Sequence, residues 1–228
     1  MKVDQEFSKY AVDYESYNTI QTEVVKRLVG TLKGEPKRIL DLGCGSGAVY
    51  KKVPWCVEHF IGVDFAQGML DLHPKGEAIT LLYGDFNKTE LFERLQKYSF
   101  DTIVSASALQ WAQDLDFVFK ELTAFKKPVA LAIFTAGTFA TLNKTAKLDP
   151  LLRSAEDIKQ LQEQYFAKAN FELVRYKLEF DSVRAMFRYI KKSGVSGARN
   201  ILSYKETKEL MQAYPLNYLE FEVAFITS

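Results

Sequence analysis

The sequence predicts an α/β fold built on a mostly parallel sheet, and three observations carry that expectation. Short runs rich in apolar and β-branched residues, at 38–43, 60–65, 79–84, 100–105 and 128–135, are separated by longer amphipathic stretches. These runs are continuously apolar, as strands covered by helices on both faces are. The last third changes character. Segments 171–181 and 218–227 alternate apolar with polar residues, so Glu220, Glu222 and Ala224 share one face and Phe221, Val223 and Phe225 the other. That alternation predicts antiparallel, half-exposed strands.

Taken in order, residues 1–30 read as a helical prefix, with Phe7, Tyr10, Ala11 and Tyr14 at helical spacing. The strand at 38–43 runs into a glycine-rich turn and a short helical stretch at 47–52. Helical patterns at 67–72, 89–97 and 115–126 follow the next three strands. Segments 183–190 and 204–214 read as helices between the alternating strands. No repeat, low-complexity tract or linker interrupts the chain, so residues 1–228 read as one domain.

Composition excludes several classes. The chain has 228 residues, of which 47% are hydrophobic and 26% charged. That balance is globular, not disordered or fibrous. A net charge of +1 argues against a whole-molecule polyanion binder. No basic stripe interleaved with aromatics appears, so no nucleic-acid partner is expected. Cys44 and Cys56 make neither a disulfide framework nor a zinc pattern. With only His59 and His73 as histidines, no His-rich metal site is expected, though a carboxylate site stays open. The longest apolar run, 129–134, falls far short of the roughly 20 residues of a membrane span. The opening residues lack an apolar signal core, and the two cysteines suit a reducing compartment. A cytoplasmic location is the expectation.

The most informative stretch is Asp41-Leu42-Gly43-Cys44-Gly45-Ser46-Gly47, leading from a buried strand straight into a helix. Glycines there permit a sharp turn and close approach of a ligand. Gly43, Gly45 and Ala48 also satisfy the dinucleotide spacing G-x-G-x-x-A, so a nicotinamide site stays open on spacing alone. Asp41 helps separate the readings. A carboxylate at that strand end suits a cationic group such as an α-ammonium and would repel a pyrophosphate. Asp64 ends the second strand and suits ribose hydroxyls in either reading. Asp85 ends the third, where it could accept from an exocyclic amine or simply cap a turn. Acids at the ends of three consecutive strands would converge on one crevice.

The stretch 41–47 resembles the first motif of class I S-adenosylmethionine-dependent methyltransferases, D/E-x-G-x-G-x-G, and matches it in full. The resemblance implies a Rossmann-like, doubly wound sheet of seven strands with the last antiparallel. S-adenosylmethionine is then the expected cofactor. Asp41, Gly43, Cys44 and Gly45 would hold its amino-acid end and Asp64 its ribose. Phe65 and Met69 would flank the adenine, and Asp85 with Phe86 would read its edge. Ser105 and Ala106 would lie under the sulfonium. Segment 38–137 would be the cofactor-binding core, and 138–228 would carry the substrate side and the last strands.

Further stretches resemble the malonyl-acyl carrier protein O-methyltransferases of biotin synthesis. These are Phe7 to Glu15 followed by Gln21, Ser105 to Trp111 against S-N-x-x-x-Q-W, the patch Lys191 to Ala198, and Tyr214-Pro215-Leu216-Asn217-Tyr218. Position 106 departs from the pattern, being Ala where Asn is usual. The resemblance implies carboxyl methylation of a malonyl thioester on an acyl carrier protein. A carboxylate is ionised near neutrality, so the scarcity of histidines poses no difficulty. Tyr14, Gln110 and Trp111 are the candidate walls of the acceptor pocket, and residues 1–30 a candidate lid. From 183 to 205 the basic residues Arg184, Arg188, Lys191, Lys192, Arg199 and Lys205 occur with no acid among them. Such a patch would steer an acidic carrier protein. A free small acid as acceptor, or a non-catalytic cofactor-binding protein, stays open at this point.

Overall fold

A computed structural model describes residues 18–193 and 204–228. Helix α1 is Thr19–Gly30. Five parallel strands follow, β1 Arg38–Leu42, β2 His59–Asp64, β3 Ile79–Tyr83, β4 Thr102–Ala106 and β5 Val129–Phe134. Between them lie α2 Ala48–Lys52, α3 Gln67–Leu72, α4 Thr89–Leu95 and α5 Leu115–Ala124, with a 3-10 turn at Leu109–Trp111. The remainder comprises α6 Ala140–Ala146, α7 Ala155–Tyr165, β6 Asn170–Glu179, α8 Val183–Ser193, α9 Tyr204–Ala213 and β7 Tyr218–Thr227.

The seven strands form one sheet in the order β3-β2-β1-β4-β5-β7-β6. The chain winds outward from β1 to β3, then returns to place β4 on the other side of β1. Ligands of such sheets bind beyond the carboxyl ends of the strands, at this reversal. β7 runs antiparallel to both β5 and β6.

Strand parity divides the core into two layers. Leu40, Leu42, Ile61, Ile103, Leu131 and Ile226 pack beneath α4, α5 and α7. Ile39, Phe60, Val104, Ala132, Val223 and Phe225 face the other way, against α1, α2 and α8. Asp41 shares the parity of Ile39, so its carboxyl belongs to this second side.

The alternation of β7 predicted a strand with one wet face, and the structure corrects that. β7 is buried over most of its length because it lies inside the sheet, between β5 and β6, with helices on both faces. Its acidic residues survive there by pairing. Glu222 accepts from the Thr135 hydroxyl at 2.6 Å and from Arg175 Nε at 2.8 Å. β6 is the strand that keeps the half-exposed pattern, because it forms the edge. Helices α6 and α7 were not anticipated. The prefix is helical at Thr19–Gly30, and residues 1–17 lie outside the described residues.

Candidate active site

The turn between β1 and α2 is shaped by three left-handed glycines, Gly43, Gly45 and Gly47, with φ of +80°, +53° and +86°. Side chains at the first and third positions would collide with the protein. A Cβ on Gly43 would stand 2.2 Å from the Ala108 methyl carbon, and one on Gly47 within 3 Å of Pro74 and the His73 ring. Gly45 differs, because a Cβ there would meet nothing within 4 Å. The middle of the turn therefore presents bare backbone to an open space.

β2 holds this turn in place. The Gly43 and Cys44 N–H groups both donate to the Val63 carbonyl, at 2.8 and 2.9 Å. One Asp64 oxygen accepts the Gly45 N–H at 2.8 Å and the other the Ala66 N–H at 2.9 Å. Asp64 thus clasps the glycine turn as well as facing the crevice. Cys44 is buried against Gly62, where any larger residue would strike its sulfur. Burial, reinforced by Asp41 and Asp64, pushes its thiol pKa up, so it stays protonated and inert.

Asp41 is 1% exposed, and neither of its carboxylate oxygens has a hydrogen-bond partner. Burial, and then the neighbouring charge of Asp64, hold its carboxyl well above the usual range. Asp64 is raised too, by burial, against the backbone N–H groups of Ala66, Gly45 and Phe65. A buried carboxylate without a partner is costly. This pair, beside open backbone at Gly45, fits a ligand that brings positive charge and polar hydrogens. It does not fit a pyrophosphate.

The other expected cofactor residues fall around the same edge in differing states. Asp85 Oδ1 accepts from the Asn87 backbone N–H at 2.9 Å and from Asn87 Nδ2 at 2.7 Å, so it shapes a turn. Asn87 in turn accepts from the Gln113 N–H, tying this turn to the segment after β4. Phe86 and Met69 are buried in the protein's own packing, whereas Phe65 is half-buried. The Ser105 hydroxyl is fully buried and donates to the Leu42 carbonyl at 2.6 Å, so it fastens β4 to β1. Ala106 is half-buried at the end of β4.

After β4 the chain turns sharply at Ser107, which adopts φ +60°. Gln110 Nε2 donates back to the Ser107 carbonyl at 2.6 Å, while its Oε1 and the Ser107 hydroxyl are buried without partners. Ala108, against Gly43, joins this segment to the glycine turn. Ala108 thus seats the start of the Leu109–Trp111 turn against the glycine turn, and Trp111 is half-buried. Arg184 and Arg188 lie on the exposed face of α8, opposite the buried Met186 and Tyr189. Lys191 and Lys192 close that helix, and their side chains are outside the described residues, as are Tyr14 and Arg199. Among the described residues no cluster of His, Cys, Asp and Glu could hold a metal ion. None of their helices is long and apolar enough to cross a membrane.

A family profile described as a methyltransferase domain matches residues 40–134, the span from β1 to β5 that builds this crevice. This match, with the relative that follows, supports an S-adenosylmethionine-dependent methyltransferase. One relative, malonyl-[acyl-carrier protein] O-methyltransferase 2 of Ilyobacter polytropus, is 27% identical over 215 residues, covering 86% of this chain and 81% of its own. The YcgJ protein of Bacillus subtilis shares the fold at a TM-score of 0.63 and 14% identity, over 90% of this chain and 97% of that one. A phosphoethanolamine N-methyltransferase of Haemonchus contortus, solved with S-adenosylmethionine, superposes at a TM-score of 0.55 and 15% identity over 96% of this chain and 57% of its own. Sequence reasoning passed over Arg153 and the pairing of Thr135 with Glu222 in this methyltransferase. The capping pattern Ser154-x-x-Asp157 could have announced α7 and the loop before it. Nothing local announced the pairing of Thr135 with Glu222, 87 residues away.

Proposed function

We propose that this methyltransferase esterifies the free carboxylate of a malonyl thioester carried on an acyl carrier protein. The observation that carries the proposal is the seating of the Gln110–Trp111 turn directly against the glycine turn, through Ala108 and Gly43. The motif resembling a carboxylate-methylating family therefore stands at the cofactor crevice. A relative bearing that activity's name and covering 86% of the chain supports it.

When bound, S-adenosylmethionine supplies a methyl group on a positively charged sulfur. Asp41, buried and unpartnered, meets the α-ammonium, and bare backbone at Gly45 admits the amino-acid end. Asp64 retains lone pairs for the ribose hydroxyls while its backbone bonds keep it aimed. Phe65 borders the adenine, and Met69 and Phe86 back it from within the core. Asp85 receives the adenine edge. Ser105, bonded to Leu42, fixes the level of Ala106 beneath the sulfonium.

A malonyl carboxylate is already anionic at neutral pH, so no side chain need remove a proton. The work left to the chain is alignment and exclusion of water. Gln110 and Trp111 form the acceptor wall; Tyr14, the third candidate, lies outside the described residues. Arg184 and Arg188, with Lys191, Lys192 and Arg199, receive the acidic carrier. Mass spectrometry of malonyl carrier protein after incubation with enzyme and S-adenosylmethionine tests this. One added methyl ester is expected, and hydrolysis should remove it. Methylation of free malonate or short-chain acids at equal efficiency, with unmodified carrier, would replace carrier docking by a free-acid acceptor.

A further inference from the structure

Three features outside the cofactor cradle present polar chemistry of their own. A cleft of about 520 Å³ at the amino edge of the sheet, lined by Lys33, Lys37, Asp101 and Thr102 among others, has its principal polar groups satisfied internally. The fork of Arg175 is mostly in solvent, but its Nε is committed to Glu222. Arg153 stands apart, because its polar atoms tie together the two loops that border the acceptor side.

The Arg153 guanidinium donates through one terminal nitrogen to two main-chain carbonyls, Ala112 at 2.8 Å and Gln113 at 2.9 Å. These are the residues immediately following Trp111. The Arg153 carbonyl accepts the Ala136 N–H at 2.7 Å, on the loop after β5. Both ends of the strut are themselves anchored. Next to Ala136, the Thr135 N–H donates to the Glu222 carbonyl at 2.9 Å and its hydroxyl to the Glu222 carboxylate. Gly137 adjoins Glu222 so tightly that a Cβ would lie 2.3 Å from its carboxylate. Immediately after Arg153, Ser154 and Asp157 form a reciprocal capping box that fixes the start of α7. No carboxylate within ion-pair distance of Arg153 is found among the described residues, so its charge is directed to carbonyl oxygens.

We infer that Arg153 is a positioning residue, which holds the Gln110–Trp111 wall at a set distance from the loop after β5 and so defines the width of the acceptor pocket. A guanidinium suits this role better than an ammonium. Both hydrogens of its single engaged terminal nitrogen are fixed in the guanidinium plane, and backbone bonds to a charged donor are stronger than neutral ones. The inference rests on the reading of Gln110 and Trp111 as the acceptor wall, but the strut itself can be tested without any acceptor. A wall displaced by about 1 Å can cost about 100-fold in turnover.

The chain has two tryptophans, Trp55 and Trp111. Trp55 bonds to the Pro36 carbonyl, on a loop at the opposite edge of the sheet. In a Trp55→Phe background, Trp111 becomes the only fluorescent tryptophan. Arg153→Ala and Arg153→Lys are compared there by emission, by acrylamide quenching, by calorimetry with S-adenosylhomocysteine, and by steady-state methylation of malonyl carrier protein. Arg153→Ala is expected to shift Trp111 emission to the red and at least double its quenching. Homocysteine-cofactor binding should stay within about twofold, while kcat falls about 10- to 100-fold. Arg153→Lys should restore part of both signals, and added guanidinium ion should rescue Arg153→Ala. Unchanged Trp111 emission and quenching in both variants would overturn the strut. A changed Trp111 signal with kcat and KM equal to the parent would overturn its role in defining the pocket. If the parent itself fails to methylate malonyl carrier protein, the acceptor reading falls while the fluorescence comparison still decides the strut.

Discussion

Replacing Asp41 by Asn removes an ionisable carboxyl and almost no volume at the most demanding position of the crevice. In the native chain this carboxyl is 1% exposed, without hydrogen-bond partners and next to Asp64. An unsatisfied buried polar group costs about 1–3 kcal/mol, and more when charged. In cofactor-free protein at neutral pH the neutral amide should therefore stabilise the fold by about 1–2 kcal/mol. A chain of this size gains about 2–4 °C in Tm per kcal/mol, so a rise of about 2–8 °C is expected. The same substitution should weaken S-adenosylhomocysteine binding by about 2 kcal/mol, the worth of a hydrogen bond between charged groups, or about 30-fold in Kd. The pH dependence has a definite sign. Burial raises the native pKa of Asp41 above its unfolded value, so the group favours folding below the unfolded pKa, near 4, and its contribution is lost as pH rises through the native value. The Tm advantage of the variant should be near zero around pH 4 and grow toward neutrality. Calorimetry with and without ligand measures both effects. A variant no more stable than the parent at neutral pH, or binding within twofold of it, would refute the reasoning.

Gly45→Val should abolish cofactor binding, since its side chain would enter the open space beside the turn, and should cost about 1–2 kcal/mol of stability from the left-handed backbone at φ +53°. Titration calorimetry and melting curves read the two effects separately, and retained binding would contradict the placement of the ligand. Arg184→Glu with Arg188→Glu should raise KM for malonyl carrier protein about tenfold at low salt, with the difference shrinking as salt is added. Cofactor affinity should not move, and an unchanged KM would remove α8 from the docking surface. Tyr214, buried and bonded to the Tyr218 carbonyl, has its phenol pushed up to about 12, by burial first and then by Glu220 and Tyr218. Its stabilising contribution is therefore present below pH 10 and lost as pH rises toward 12. Tyr214→Phe should flatten that part of the stability curve in alkaline melts, and a parent curve already flat there would speak against it.

Much of the cradle was legible because its signals are local. Asp41, Gly43, Gly45 and Gly47 lie within seven residues, and each glycine answers a backbone demand that no other residue meets cheaply. The strand runs were likewise readable, since a strand buried on both faces needs an apolar residue at every position. β7 was misread for the same reason. Glu220 and Glu222 gave it an alternating pattern, and only their partners on neighbouring elements, Thr141, Thr135 and Arg175, made a buried strand tolerable. Ser105 shows a similar reversal, because its hydroxyl turns inward to Leu42.

The order of residues along the chain determined which segments become strands and helices, and where the bare-backbone turn falls. Those properties depend on neighbours a few positions apart. The tertiary structure alone decided that β4 lies beside β1, that Ala108 presses on Gly43, that Asp41 is left without a partner, and that Arg153 spans two loops. Each of these joins residues far apart in sequence, and periodicity carries no information about which distant groups folding brings within hydrogen-bonding range.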